Sequence, residues 1–356
     1  MLSPRIEINL EKIEENTRLI LSLCQARGIE QVVGVSKVCC ADLRVARAML
    51  KGGVQALGDS RLENLKKIRQ QGIQIPLVHL RLPMLSQVDE VVQYADWSLN
   101  SQVQVIRELS REAEKIEKVH KIILMVDLGD LREGVRPERV LEVVEQVKDL
   151  PGIQLAGLGT NLTCYGGVIP TEDNLGVLLR LAKEIKEKYA LELEVISGGN
   201  SSSLQLMLEG KMPEGINHLR LGESILLGRE TVERQPINGA FLDAFTIYGE
   251  VIEIEQKPST PIGILGQDAF GNTPVFADIG DRWRAILAIG RQDIVVEGLT
   301  PVDERIKIIG ASSDHLIIDI TALKDIINLG DEVAFLPGYG ALLSAMTSPY
   351  IHKIYV

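Results

Sequence analysis

The fold class predicted by this sequence is α/β, a (β/α)8 barrel followed by a mostly β C-terminal domain, and three observations predict it. Short apolar runs alternate with helical patterns about eight times over roughly 220 residues, the pattern of a parallel barrel. Beyond Arg229 the helical patterns give way to strands punctuated by turn residues. The run Val32-Val33-Gly34-Val35 ends on Ser36-Lys37, and the carboxyl ends of barrel strands are where such folds carry chemistry. With 356 residues the chain is long enough for roughly two domains and a sizeable core.

Residues 5–10 alternate like a strand, and 11–27 place Ile13, Thr17, Ile20, Leu21 and Cys24 at helical spacing. Val32, Val33 and Val35 form the first barrel strand, followed by a helix over 41–51, a strand over 54–58 and a helix over 61–71. Strands over 76–80, 97–99, 121–127, 153–157, 193–196 and 218–221 complete a TIM-like barrel. Further on, 244–255, 275–279, 284–289, 305–309, 315–320 and 332–336 read as strands, with turns at Gly271-Asn272, Gly280-Asp281 and Gly330-Asp331. The expected domains are 1–235, a barrel, and 236–356, a β domain, with residues 1–10 carrying a strand that can join the latter.

Composition narrows the function. The 49 acidic residues outnumber 38 basic ones, for a net charge of −11 with no long basic run, which argues against nucleic acid as a partner. Cys24, Cys39, Cys40 and Cys164 lack C-x-x-C spacing and do not suggest a disulfide framework, as expected in a reducing cytosol. Residues 1–9 lack a signal-peptide core and no apolar run approaches ~18 residues, so a cytoplasmic protein without a membrane partner is expected. No metal is expected.

A lysine leaving the first barrel strand points into the mouth, where partial desolvation lowers its pKa and makes the amine a usable nucleophile for a Schiff base. The same residues also fit a surface lysine capping a strand. Gly198-Gly199-Asn200-Ser201 follows a strand and opens the helical pattern 203–208, so its amides and the Ser201 hydroxyl can face an anion. A bare Gly-Gly is also an ordinary turn.

Read together, Ser36-Lys37, Gly58-Asp59-Ser60-Arg61, Gly129-Asp130-Leu131-Arg132-Glu133-Gly134-Val135, Gly198-Gly199-Asn200-Ser201 and Leu219-Arg220-Leu221-Gly222-Glu223 resemble the alanine-racemase-type (fold type III) family of pyridoxal-phosphate enzymes. Gly310-Ala311-Ser312-Ser313-Asp314 and Ile317-Ile318-Asp319 extend the resemblance into the tail, so it covers nearly the whole chain. It implies a racemase that interconverts L- and D-amino acids by removing and returning the Cα proton, with pyridoxal 5'-phosphate as cofactor and a small amino acid as substrate. Lys37 matches the Schiff-base lysine. Asn200, Ser201, Gly222 and Glu223 match the phosphate-binding turns, and Tyr339 a phosphate-binding tyrosine. Arg220 matches the arginine facing the pyridine nitrogen, and Arg132 the one at the phenolic oxygen and substrate carboxylate. Asn161 stands where the family often has a histidine. Ser313 and Asp314 match residues lining the entrance of the opposite subunit's site, which implies a homodimer with shared active sites.

Two departures bear on substrate and mechanism. Alanine-specific members of the family carry tyrosines where this chain has Ala41 and Arg291, the second serving as the opposing base. Two-base racemisation needs a proton acceptor on each face of a planar intermediate, and Arg291 is a poor base because its pKa stays above ~12. His315, Cys164 and Tyr165 are chemically able, and His315 beside Asp314 is the preferred candidate, with Arg291 assigned to substrate binding. The pattern is closest to the ornithine-racemase-like branch, whose ω-ammonium would want a carboxylate such as Glu223, Asp293 or Asp314. An alanine racemase is the alternative, as is a non-catalytic pyridoxal-phosphate-binding homeostasis protein, although the latter lacks a β domain.

Overall fold

A computed structural model describes residues 2–356; Met1, the first residue of the expected barrel domain, lies outside them. The chain opens on β1 (Arg5–Ile8) and α1 (Leu10–Gln25). It then steps through β2 (Gln31–Val35), α2 (Leu43–Lys51), β3 (Ala56–Asp59), α3 (Leu62–Gln70), β4 (Leu77–His79), α4 (Val88–Tyr94), β5 (Trp97–Asn100) and α5 (Val103–Lys115). The second half continues with β6 (His120–Met125), α6 (Val140–Val147), β7 (Ile153–Gly159), α7 (Glu172–Tyr189), β8 (Val195–Ser197), α8 (Ser203–Leu208), β9 (His218–Leu221) and α9 (Glu223–Leu227). β2 to β9 form a closed parallel barrel, with β9 returning to β2 through Gln31↔His218 and Val33↔Arg220.

These strands read as near-continuous apolar runs because barrel strands are buried on both faces. Leu99, Ile123, Met125 and Val195 pack as one buried cluster, with Leu80 and Trp97 against it. The helices are amphipathic in the expected way: α2 buries Val45, Ala46, Ala48 and Met49 and leaves its charged residues outward.

The remaining elements are β10 (Phe245–Pro258), β11 (Asp281–Leu287), β12 (Leu299–Pro301), β13 (Lys307–Ala311), β14 (Leu316–Asp319), β15 (Glu332–Pro337), α10 (Tyr339–Thr347) and β16 (His352–Tyr355). They form a sheet in the order β12-β15-β10-β11-β14-β13, and β1 joins it, antiparallel to β10 and parallel to β16. The chain divides into two compact units, Leu10–Phe241 and the segment through Asn9 together with Leu242–Val356. Phe245 and Phe335 are fully buried, on β10 and β15 of the second unit.

One expected strand does not form. Residues 275–279 are irregular, and Val275 is 94 % exposed. The β10–β11 ladder ends at Pro258↔Asp281, and Pro261 and Pro274 lack the N–H that would extend it. Alternating apolar residues there have no sheet to pack on. Among the described residues, no helix is long and apolar enough to cross a membrane, no disulfide joins the four cysteines, and no cluster of potential metal ligands occurs.

Candidate active site

Lys37 opens a short 3-10 turn, Lys37–Cys39, directly after β2. The turn is held from both ends. Before it, buried Ser36 donates its backbone N–H to the Gly58 carbonyl at 2.9 Å and its hydroxyl to Asp59 Oδ2 at 2.9 Å. After it, Cys40 and Ala41 take φ of 51° and 46°, and Asp42 caps α2 by accepting from the Arg44 and Val45 N–H groups. Two consecutive left-handed residues with side chains are uncommon, and such strain persists where surrounding structure over-determines it.

The Lys37 side chain is exposed at the barrel mouth, yet protein packed around it matters to its charge. Burial draws its ammonium below the ordinary lysine value; Cys164 opposes this, Arg132 reinforces it, Asp59 opposes and Arg220 reinforces. Asp59 itself is fully buried and pushed up by that burial, against hydrogen bonds from Arg61, Asn64 and Ser36.

Arg220, on β9, is buried inside the barrel unit and makes three hydrogen bonds there with its five N–H donors. Its Nη1 donates to Ser197 Oγ, and its Nη2 donates to the Thr160 carbonyl at 2.7 Å and to Asn161 Oδ1 at 2.8 Å. Burial lowers its pKa to about 10, which leaves the guanidinium charged at neutral pH. Behind it, Ser197 Oγ lies 2.8 Å from His218 Nδ1. Because arginine only donates, the Ser197 proton is free to turn to His218, whose burial lowers its pKa to about 3 and keeps it neutral.

Asn161 connects this column to the rim: its Nδ2 donates to Glu133 Oε1 at 2.6 Å, and Glu133 Oε2 pairs with Arg132 Nε at 2.8 Å. The loop bearing Arg132 is anchored by Asp127, which accepts from the Gly129 and Leu131 N–H groups. Buried Asp130 in turn holds the loop after β7 through the N–H groups of Cys164, Tyr165 and Val168.

The two glycine-containing turns meet. Ser201 Oγ lies 3.0 Å from Ser224 Oγ and accepts from the Ser224 N–H at 3.3 Å, tying the turn after β8 to that after β9. Gly199 has φ of +110°, and a Cβ there would stand 3.1 Å from Ser203 Oγ, so only glycine fits. Asn200 braces loops, donating to the Leu162 carbonyl at 3.0 Å and accepting from the Ser202 N–H at 2.8 Å. Glu223 is engaged by Arg229 and Arg234, which removes it from the carboxylates open to a substrate ammonium.

In the second unit, Arg291 is held by three partners. Its Nε donates to the Ala311 carbonyl at 3.3 Å, its Nη2 pairs with Glu297 at 2.7 Å, and its guanidinium lies 5.4 Å from the Phe270 ring centroid. Ser313, Asp314 and His315 form an exposed turn in which Ser313 Oγ donates to Asp314 at 2.8 Å, while His315 Nδ1 lies 3.4 Å from Ser312 Oγ. Asp293 is buried and accepts from Ser348 Oγ at 3.3 Å, so of the three carboxylates named from sequence Asp314 alone stays exposed. Tyr339, half-buried, opens α10.

Sequence reasoning passed over Glu133, Ser197 and His218. Glu133 reads as a solvated loop charge, and the other two read as strand residues; the pairing of β8 with β9, Ser197↔His218, is what places Ser197 beside Arg220 and His218.

The residues present fit pyridoxal phosphate. They offer an amine lowered by its surroundings, a glycine-lined pair of turns and a fixed guanidinium, beside which the buried Thr160 Oγ1 has no hydrogen-bond partner among the described residues. A closed parallel barrel with that set at its strand ends, followed by an antiparallel sheet unit, together with the family match that follows, defines a pyridoxal-phosphate enzyme of fold type III. The model for the alanine racemase N-terminal domain matches residues 8–230, and the chain belongs to the alanine racemase family. It is 44 % identical to the ornithine racemase of Acetoanaerobium sticklandii over 98 % of this chain and 99 % of that protein. It is 41 % identical to the lysine racemase of Thermotoga maritima over 100 % of this chain and 99 % of that protein. Among solved structures it resembles the alanine racemase of Streptomyces lavendulae, with a TM-score of 0.73 at 17 % identity, covering 100 % of this chain and 97 % of that one.

Proposed function

We propose that the chain is a pyridoxal-phosphate-dependent racemase that interconverts the L- and D-forms of a basic amino acid, ornithine first. The observation that carries the chemistry is the Lys37 amine, held on a braced turn at the end of β2 and lowered in pKa by burial and then by Arg132 and Arg220. The basic substrate is supported by full-length likeness to proteins named ornithine racemase and lysine racemase.

When bound, the cofactor supplies an aldehyde for a lysine amine and an electron-poor ring that accepts negative charge from Cα. Lys37 would anchor it, and its Nζ would serve one face, accepting the Cα proton as a neutral amine and returning it from the ammonium so formed. Ser201 and the Gly222 and Glu223 amides would bind the anionic end. Arg220 donates a charged hydrogen bond without giving up its proton, which suits reversible proton movement at Cα over deeper carbanion chemistry. Arg132 takes the substrate carboxylate.

The opposite face needs its own proton acceptor, and the second unit of a partner copy supplies it in this reading. His315 is the base, Arg291 and Ser313 bind substrate, and Asp314 meets the ω-ammonium. The protein is then a cytoplasmic homodimer with shared sites.

Chiral analysis of products from a panel of L-amino acids in deuterium oxide tests this. The expected result is D-ornithine or D-lysine with deuterium at Cα, formed at least about tenfold faster than D-alanine. Faster turnover of alanine defeats the substrate assignment. Binding of pyridoxal phosphate with no Cα exchange defeats the racemase.

A further inference from the structure

Three positive groups, Lys37, Arg132 and Arg220, stand close enough in the barrel unit to act on one another's charge. Of the carboxylates near them, Asp59 is committed to Ser36, Asn64 and the Arg61 N–H, and Asp130 to the N–H groups of Cys164, Tyr165 and Val168. Among the described residues, Glu133 is the carboxylate that touches the arginine set. Its side chain is 12 % exposed, its Oε2 lies 2.8 Å from Arg132 Nε, and its Oε1 accepts from Asn161 Nδ2 at 2.6 Å. The same Asn161 accepts from Arg220 Nη2 at 2.8 Å through its other end.

We infer that Glu133 is a positioning residue: one oxygen fixes Arg132, the other fixes Arg220 through Asn161, and its charge offsets both arginines at Lys37. Asn161 suits the link because its amide presents a donor to the carboxylate and an acceptor to the guanidinium at once, and cannot titrate. Glutamine at 133 keeps the acceptor for Asn161 but has one carbonyl oxygen, so it either holds Asn161 or holds Arg132. It also leaves two guanidinium charges uncompensated. The groups facing Lys37 are then Asp59 from β3, Arg132 and Cys164 from the loops after β6 and β7, and Arg220 from β9.

This deepens the racemase reading, and its first readout does not depend on that reading. In the full-length apoprotein, reductive methylation with carbon-13 formaldehyde labels Lys37, and the NMR shift of its methyl groups against pH gives the Lys37 midpoint; Lys37→Arg identifies the signal. Glu133→Gln should lower that midpoint by at least about half a pH unit, since a removed carboxylate no longer opposes the neighbouring cations. In the holoenzyme the same variant should raise KM by at least about tenfold with a smaller change in kcat, because Arg132 is no longer held. A merely structural role would not move the Lys37 midpoint. An unmoved midpoint in E133Q overturns the inference whatever happens to KM. Should E133Q fail to fold, comparing R132Q/E133Q with R132Q removes the carboxylate where its direct partner is already gone. The midpoint must still fall there, because Arg220 is left uncompensated, and a constant value overturns the inference. A shifted midpoint in a protein that racemises nothing counts for Glu133 and against the racemase.

Discussion

The proposed use of Lys37 as a base rests on burial and neighbouring cations around a tip that water still reaches. A folded midpoint below the ordinary ~10.4 leaves the amine neutral where an ordinary lysine keeps its proton. Turnover that needs neutral Nζ should therefore climb with pH through that lowered midpoint. Lys37→Ala should abolish turnover and the visible absorbance of bound cofactor, and Arg132→Gln, by removing a like charge, should move the climb in kcat to higher pH. A climb left in place by R132Q contradicts the electrostatic account. Buried histidines give a second prediction. His120 and His218 are lowered by burial to about 3 and His79 to about 4, against 6.5 ordinarily. Between 6.5 and those values the unfolded chain binds protons that the folded one refuses, so stability is lost as pH falls, on the order of 3 kcal/mol per histidine by pH 4. Urea unfolding of His120→Asn at pH 7.5 and pH 4.5 should show a shallower loss than the parent chain.

Elements decide how these residues are aimed. The turn after β11 and the turn between β13 and β14 are in backbone contact: a Cβ on Gly290 would stand 2.2 Å from the Ser313 carbonyl oxygen and 2.5 Å from the Asp314 nitrogen. Gly290→Ala must push one turn off the other, at a cost of about 3 kcal/mol or more, since backbone cannot give as a flexible side chain does. The expected result is a lower Tm, cofactor affinity unchanged within about threefold, and kcat/KM down at least about tenfold; an unchanged Tm refutes it. The elements legible in sequence were those with a strong local pattern, such as the eight barrel strands and α1. β16 was silent because its pairing partner, β1, lies at the other end of the chain. α10 was silent because Ala341, Leu342, Ala345 and Met346 sit in a segment apolar nearly all round, with no polar face to mark the period.

At the scale of the whole molecule, the proposed sharing of sites between two copies has a countable consequence. Lys37→Ala and Arg291→Ala are each expected to inactivate, one through the barrel and one through the β unit. Mixed after dissociation and reassociation, half of the dimers are heterodimers, and each has one site carrying both lesions and one carrying neither. About a quarter of the parent activity should return, by the statistics of a symmetric dimer. Mixtures as inactive as their components would mean that each chain completes its own site.

The sequence by itself determined the barrel, the lysine at the end of its first strand, the glycine turns and the antiparallel tail, because each is written in local periodicity or in adjacent residues. Only the tertiary structure decided which charges are committed and which are open. Glu223 is taken by Arg229 and Arg234 and Asp293 is buried, while Glu133 and Ser197 become the partners of the arginines and His218 that of Ser197. The links from Ser197 to Arg220 and His218 and from Glu133 to Asn161 join residues more than twenty positions apart in the chain, and a hydrogen bond of a few ångströms leaves no trace in spacing until the strands that carry its ends have closed into a barrel.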